Sequence, residues 1–146
     1  MKHLTFATSF LAVSSMGCQK PPQVPVGKPI QVVQSRDVTF ESHGLKLQGT
    51  FQLPMGVTGK TPAILLLPGS GPTDRNGNSG LGVTTDLLKQ IAEELAKNGI
   101  ASLRFDKRAI KIYADKWPKD MKEMNKYFSW QNFVDDASAA YDFMGK

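Results

Sequence analysis

The sequence predicts an α/β domain, and three observations carry that expectation. Residues 63–67, A-I-L-L-L, form a continuous apolar run without polar alternation, as a strand covered on both faces of a parallel sheet reads. Residues 84–98 repeat apolar side chains at helical spacing, and residues 100–105 form a second short apolar run. Strand, helix and strand therefore follow one another as in a right-handed crossover unit with parallel strands. Residues 45–53 behave differently: Leu45, Leu47, Gly49, Phe51 and Leu53 alternate with Lys46, Gln48, Thr50 and Gln52, the pattern of a strand with one face on a core.

At the N-terminus, Lys2 and His3 precede an apolar and small-residue run over 4–16 that meets Gly17-Cys18, the layout of a signal peptide. The run is shorter than the roughly 18 residues that span a bilayer as a helix. Small residues followed by Cys18 resemble the lipobox of bacterial lipoproteins, in which the cysteine becomes the lipid-modified N-terminus; Gly17 and Cys18 fit, whereas Ser15 stands where Leu is usual. The other reading is an ordinary secretory signal that leaves a free thiol. Cys18 is the only cysteine, so no internal disulfide can form. Residues 18–29 hold four prolines and read as an extended tether. The folded domain is expected over 30–146.

Within it, residues 30–41 and 45–53 read as two strands around the turn Ser42-His43-Gly44, antiparallel because so short a loop cannot make a parallel crossover. Residues 54–60 are a loop. Pro68, Gly69, Gly71 and Pro72 end the 63–67 strand abruptly, and the glycines let the turn point backbone N–H groups into a cleft at the strand's carboxyl end, where open α/β sheets bind ligands. In the 84–98 helix Leu87, Leu88, Ile91, Ala92, Leu95 and Ala96 share a face, Thr84 or Thr85 caps the start, and Gly99 ends it. Residues 109–128 read as an insertion over the sheet, with a short helix suggested by Met121, Met124 and Phe128. Ser129 then caps a final helix whose apolar face carries Trp130, Phe133, Val134, Ala137, Tyr141 and Met144.

Composition narrows the function classes. The formal net charge of +5 is scattered, with no dense basic block, which argues against nucleic acid as a partner. Gly59-Lys60-Thr61 imitates the end of a phosphate-binding loop, but Pro54 occupies the place of the first glycine and a strand follows. Gly69-x-Gly71 begins a dinucleotide fingerprint, yet Asp74 stands where the third glycine belongs. With one cysteine and two histidines, His3 and His43, no metal cluster is expected, and no cofactor.

Two strands, then strand, helix, strand and helix, with P-G-S-G-P-T-D-R-N-G-N after the third strand and L-R-F-D-K-R after the fourth, resemble the α/β-hydrolase fold. The likeness covers about residues 30–146 and is nearest to bacterial hydrolases of the serine-aminopeptidase and dienelactone-hydrolase-like group. Asp is usual there at the place of Asn76, and Gly at the place of Ala109. The resemblance implies an oxyanion hole with a backbone N–H near Ser70 or Gly71, supported by Gly69, Pro72, Asp74 and Arg75. It also implies structural roles for Asp106 and Arg108, as an ion pair or hydrogen-bonded turn beneath the site.

Ser70 itself is not expected to be a nucleophile, because P-G-S-G-P lacks the G-x-S-x-G spacing of a nucleophile elbow, and that motif occurs nowhere in the chain. His43 sits in an early turn, where a solvated surface role is expected. In the resembling families the serine follows the fifth strand, and the acid and histidine come later. The expectation is thus the N-terminal part of an exported serine-dependent ester or amide hydrolase, truncated before the nucleophile elbow and inactive as it stands. The alternative is a small lipid-anchored binding or structural protein keeping part of the fold. Expected partners are an ester or peptide substrate, if downstream sequence completes the enzyme, and a membrane reached through Cys18.

Overall fold

In the computed structural model, which describes residues 33–57 and 59–145, the first two strands make one long hairpin. β1 (Val33–Ser42) and β2 (Leu45–Pro54) pair antiparallel, in register from Ser42 opposite Leu45 to Val33 opposite Pro54. His43 and Gly44 between them have φ of 48° and 75°, the two left-handed residues of a turn whose twist matches that of the strands. The expected signal segment 1–17, Cys18, the tether over 18–29 and the expected strand start at 30–32 lie outside the described residues.

β3 (Ala63–Leu66) and β4 (Ala101–Phe105) pair parallel, as the crossover pattern requires. β4 also pairs antiparallel with β2, from Gly49 opposite Phe105 to Gln52 opposite Ser102, which gives the order β1-β2-β4-β3. A Cβ on Gly49 would meet the Arg104 carbonyl oxygen at 3.0 Å, so glycine is what lets these two backbones approach. The strand buried on both faces is β4, all five residues of which are buried, and not β3, whose burial is partial at best. The apolar run 63–67 reads like a central strand but stands at the sheet edge, where Ile64 and Leu67 are exposed.

α1 (Leu87–Lys97) connects β3 to β4 and begins later than Thr84 or Thr85. The N-cap position belongs to Asp86, at φ 51°, whose carboxylate accepts from Asn78 Nδ2 at 2.6 Å instead of capping the helix. Gly99, at φ 80°, ends the helix; its N–H donates to the Ala96 carbonyl and that of Ile100 to the Leu95 carbonyl.

After β4 come a 3-10 turn (Lys111–Lys116), α2 (Met121–Tyr127) and α3 (Trp130–Met144). Asp120 caps α2 by accepting from the N–H groups of Lys122 and Glu123, and Ser129 Oγ accepts from Asn132 N at 3.4 Å to start α3. The buried face of α3 differs from the expected one. It carries Asp136 and Ala140, with Ala139, Phe143 and Met144 packed on the core, while Trp130, Val134 and Tyr141 are exposed. The hairpin and β4 present Phe40, Leu45, Leu47, Leu103 and Phe105 to this helix, together with Ile110 and Tyr113 from the insertion. Because side chains alternate across a strand, Ser102 and Arg104 point to the opposite face, where α1 packs with Ala92 and Ala96 fully buried. No helix among the described residues is long and apolar enough to cross a membrane.

Candidate functional site

The loop after β3 is ordered from its far end inward. Asp74 Oδ1 accepts from the N–H groups of Asn76 at 2.8 Å and Asn78 at 2.9 Å, and the Asp74 carbonyl accepts from Gly77 N, so one aspartate winds D-R-N-G-N into a turn. Gly77 lies at φ 89°, which the turn demands. Asn78 and Asp86 bond reciprocally, and the Asn76 carbonyl accepts from Leu88 N, joining the turn to the start of α1. Asn76 Oδ1 accepts from Arg104 Nε at 3.1 Å, which ties the same turn to β4. Burial lowers the pKa of that guanidinium, and Arg75 beside it acts in the same direction.

Asp106, at the carboxyl end of β4, accepts from Arg75 N at 2.8 Å and faces Arg75 Nε at 3.5 Å. Burial pushes its carboxyl pKa up, against the lowering by the Arg75 N–H and guanidinium. Arg108 does not pair with Asp106. Its Nε and Nη2 clasp both oxygens of Asp136 at 2.7 and 2.6 Å, its Nη1 donates to the Tyr127 carbonyl, and its guanidinium stacks 5.0 Å from the Tyr127 ring centre. Trp117 Nε1 donates to the Arg108 carbonyl. The expected pair is thus two pairs: Asp106 steadies the loop, and Arg108 fastens the 109–128 insertion to α3.

The loop tip, residues 69–72, lies next to the residue between those two. Lys107 Nζ donates to the carbonyl of Gly69 and, at 2.7 Å, to that of Gly71. Gly71 is at φ 83°, Gly69 is not left-handed, and a Cβ on either would meet nothing within 4 Å. The Ser70 carbonyl accepts from Thr73 Oγ1 at 3.2 Å, and the Gly71 carbonyl also accepts from Thr73 N. Among the described residues no group accepts from the N–H of Ser70 or Gly71. These donors are therefore open to solvent or to a ligand.

Gly69, Ser70, Gly71, Pro72 and Lys107 form one wall of a groove of about 1070 Å³, and the uncovered face of α3, with Trp130, Phe133, Val134 and Tyr141, forms another. Asp74, Arg75 and Asp106 buttress the loop from behind without lining the groove. His43 is elsewhere, its Nε2 2.9 Å from Asp135 Oδ2 at the hairpin tip, with its side chain mostly in solvent. Two residues that matter here had no assigned role in the sequence. Lys107 was visible only as the middle of D-K-R, and Asp136 only as a polar position on a helix whose apolar stripe pointed elsewhere.

The sequence matches no protein-family model and no curated protein. Among solved structures the chain is similar to a cold-adapted esterase from an Arctic intertidal metagenomic library, determined in complex with PEG. The TM-score is 0.51 at 20% identity, over 77% of this chain and 44% of the esterase's. It is also similar to a hypothetical protein of Pseudomonas aeruginosa, with a TM-score of 0.52 at 25% identity, over 84% of this chain and 32% of that one. The chain thus spans less than half the length of either structure. The likeness is one of fold: a four-stranded mixed sheet with flanking helices that corresponds to part of an α/β-hydrolase fold.

Proposed function

We propose that these residues are the N-terminal part of an exported, serine-dependent hydrolase of ester or amide bonds, of the serine-aminopeptidase and dienelactone-hydrolase-like group. The observation that carries the reading is the 69–72 loop. It leaves β3 at its carboxyl end, with Gly69 to Pro72 lining the groove, with the N–H groups of Ser70 and Gly71 bonded to no group among the described residues, and with Asp74, Arg75 and Asp106 bracing the segment that follows. Donors so arranged suit the oxygen of a tetrahedral intermediate, to be joined by an N–H following the nucleophile. Attack falls to a serine, and proton transfer to a histidine, neither of which these 146 residues supply, since they hold no G-x-S-x-G and their two histidines are in the signal segment and the hairpin turn. By itself the chain is therefore inactive. No cofactor enters this chemistry. Cys18 carries a lipid anchor, the 18–29 tether holds the domain off a bacterial membrane, and nucleic acid is not a partner.

The test is the reading frame past the codon for Lys146. Continuation into an apolar strand and G-x-S-x-G, and hydrolysis of an activated ester by that longer product alone, are the expected results. A stop codon followed by a stable soluble product would favour a lipid-anchored binding or structural protein instead. For the anchor, Cys18→Ser is expected to move the protein from the membrane to the soluble fraction, and mass spectrometry showing an unmodified thiol in the native protein would refute lipidation.

A further inference from the structure

We infer that Lys107 is the positioning residue of the 69–72 loop, setting the direction of the Ser70 N–H through the carbonyl on the same peptide plane. The inference rests on the oxyanion reading above for its catalytic meaning, and on geometry alone for the clamp. In a trans peptide the C=O and the following N–H point to opposite sides. The Gly69 carbonyl is turned onto the Lys107 ammonium, so the Ser70 N–H faces away from it. The second carbonyl that Lys107 holds, that of Gly71, belongs to the bond with Pro72, which has no N–H, so this contact fixes the loop without consuming a donor. The Gly71 N–H is set differently, because its partner carbonyl, Ser70 O, is held by Thr73 Oγ1. The two donor positions thus have separate controls, one on β4's carboxyl end and one within the loop.

Residue 107 is suited to the role. It lies two residues beyond β4, whose five residues are all buried, and directly after the buried Asp106 that holds Arg75 N of the same loop. An ammonium offers three donors and no acceptor, so it attracts carbonyl oxygens without competing for the N–H groups. The other charged side chains lining the groove are Asp136, already paired with Arg108, and Asp142 of α3. Burial lowers the pKa of Lys107 from its ordinary 10.5.

Carbon-detected NMR that correlates each carbonyl carbon with the next nitrogen reads both contacts, including the one to Pro72, and is insensitive to amide exchange at high pH. In the native chain the Gly69–Ser70 and Gly71–Pro72 correlations are expected to move together in one alkaline transition with a midpoint below 10.5, as the ammonium loses its proton. Lys107→Met should abolish the transition and shift both correlations at neutral pH, leaving those of Leu103 and Phe105 in place. Lys107→Arg should keep the neutral-pH positions and lose the transition. Correlations in the native chain that do not respond to pH would overturn the clamp whether or not the Met variant folds. In the longer, active product, Lys107→Met should lower kcat by at least about tenfold with KM within about twofold, and Lys107→Arg should restore it. An intact clamp with unchanged kcat would instead refute the oxyanion role of this loop, so the two failures are distinguishable.

Discussion

Gly69 and Gly71 stand two residues apart, yet only Gly71 occupies the left-handed region. A side chain there costs about 1–2 kcal/mol in backbone strain, whereas at Gly69 a Cβ would enter open space at an ordinary φ. Gly71→Ala is therefore expected to lose about 1 kcal/mol in urea unfolding, and Gly69→Ala to lie within about 0.5 kcal/mol of the native chain. Equal losses would show that the loop bends differently in solution. Asp106 makes a prediction of another kind, since burial holds its carboxyl pKa above the ordinary 3.8. The folded chain keeps a proton there at pH values where the unfolded chain has released it. This group's contribution to stability therefore rises as pH falls from its folded pKa toward 3.8, and is flat on either side. Asp106→Asn removes that slope while leaving an oxygen to accept from Arg75 N. The native chain should gain on the variant as the pH is lowered from neutral, read by thermal unfolding across pH. A difference moving the other way would mean that Arg75 outweighs burial.

At the scale of elements, the Arg108 and Asp136 pair decides where the insertion and α3 meet. Both side chains are almost wholly buried, 3% and 1% exposed, so removing one leaves the other as an uncompensated charge. Asp136→Ala is expected to cost about 3–5 kcal/mol, and the double variant Arg108→Met with Asp136→Leu much less than that, because burying two matched apolar groups avoids the desolvation penalty. A double variant as unstable as the single one would show that the bonds of Arg108 to Tyr127 carry the stability. How much could be read in the sequence follows from the same physics. The strand over 45–53, the His43-Gly44 turn, the helix stop at Gly99 and the Ser129 cap depend on a few neighbouring residues and stand where local chemistry puts them. The alternation, however, holds only over 45–49: Thr50 and Gln52, expected to face outward, are buried where β2 pairs with β4, and Phe51 and Leu53 are half-buried. The antiparallel pairing of β2 with β4 and the edge position of β3 depend on contacts across about fifty residues, which no local pattern encodes. Apolar content identifies a face that avoids water but not which neighbour covers it. That is why α3's Trp130, Val134 and Tyr141 read as core although Ala140 and the ion-paired Asp136 face the sheet. At the site, the loop glycines were visible by residue type, whereas Lys107 acts through two carbonyls that only the fold brings within reach.

At the scale of the whole molecule, the described residues leave two apolar surfaces beside one another. Among them β3 pairs only with β4, so its other edge presents free backbone groups, flanked by Ile64 at 41% and Leu67 at 54% exposure. Across the groove, Trp130 is 80% and Tyr141 68% exposed. Open strand edges beside exposed aromatic side chains recruit other chains unless charge or a covering element intervenes. Purified residues 30–146 are accordingly expected to associate in a concentration-dependent way, with a broad thermal transition, in light scattering and calorimetry over about a hundredfold range of concentration. Ile64→Lys places a charge on the edge strand and Trp130→Lys one on the helix face, and neither residue belongs to the buried core. Both substitutions together should restore a monomer without lowering the unfolding midpoint. A native chain that is monomeric at every concentration and unfolds in one sharp step would show that these surfaces tolerate water, and that the sheet is stable with β3 at its edge.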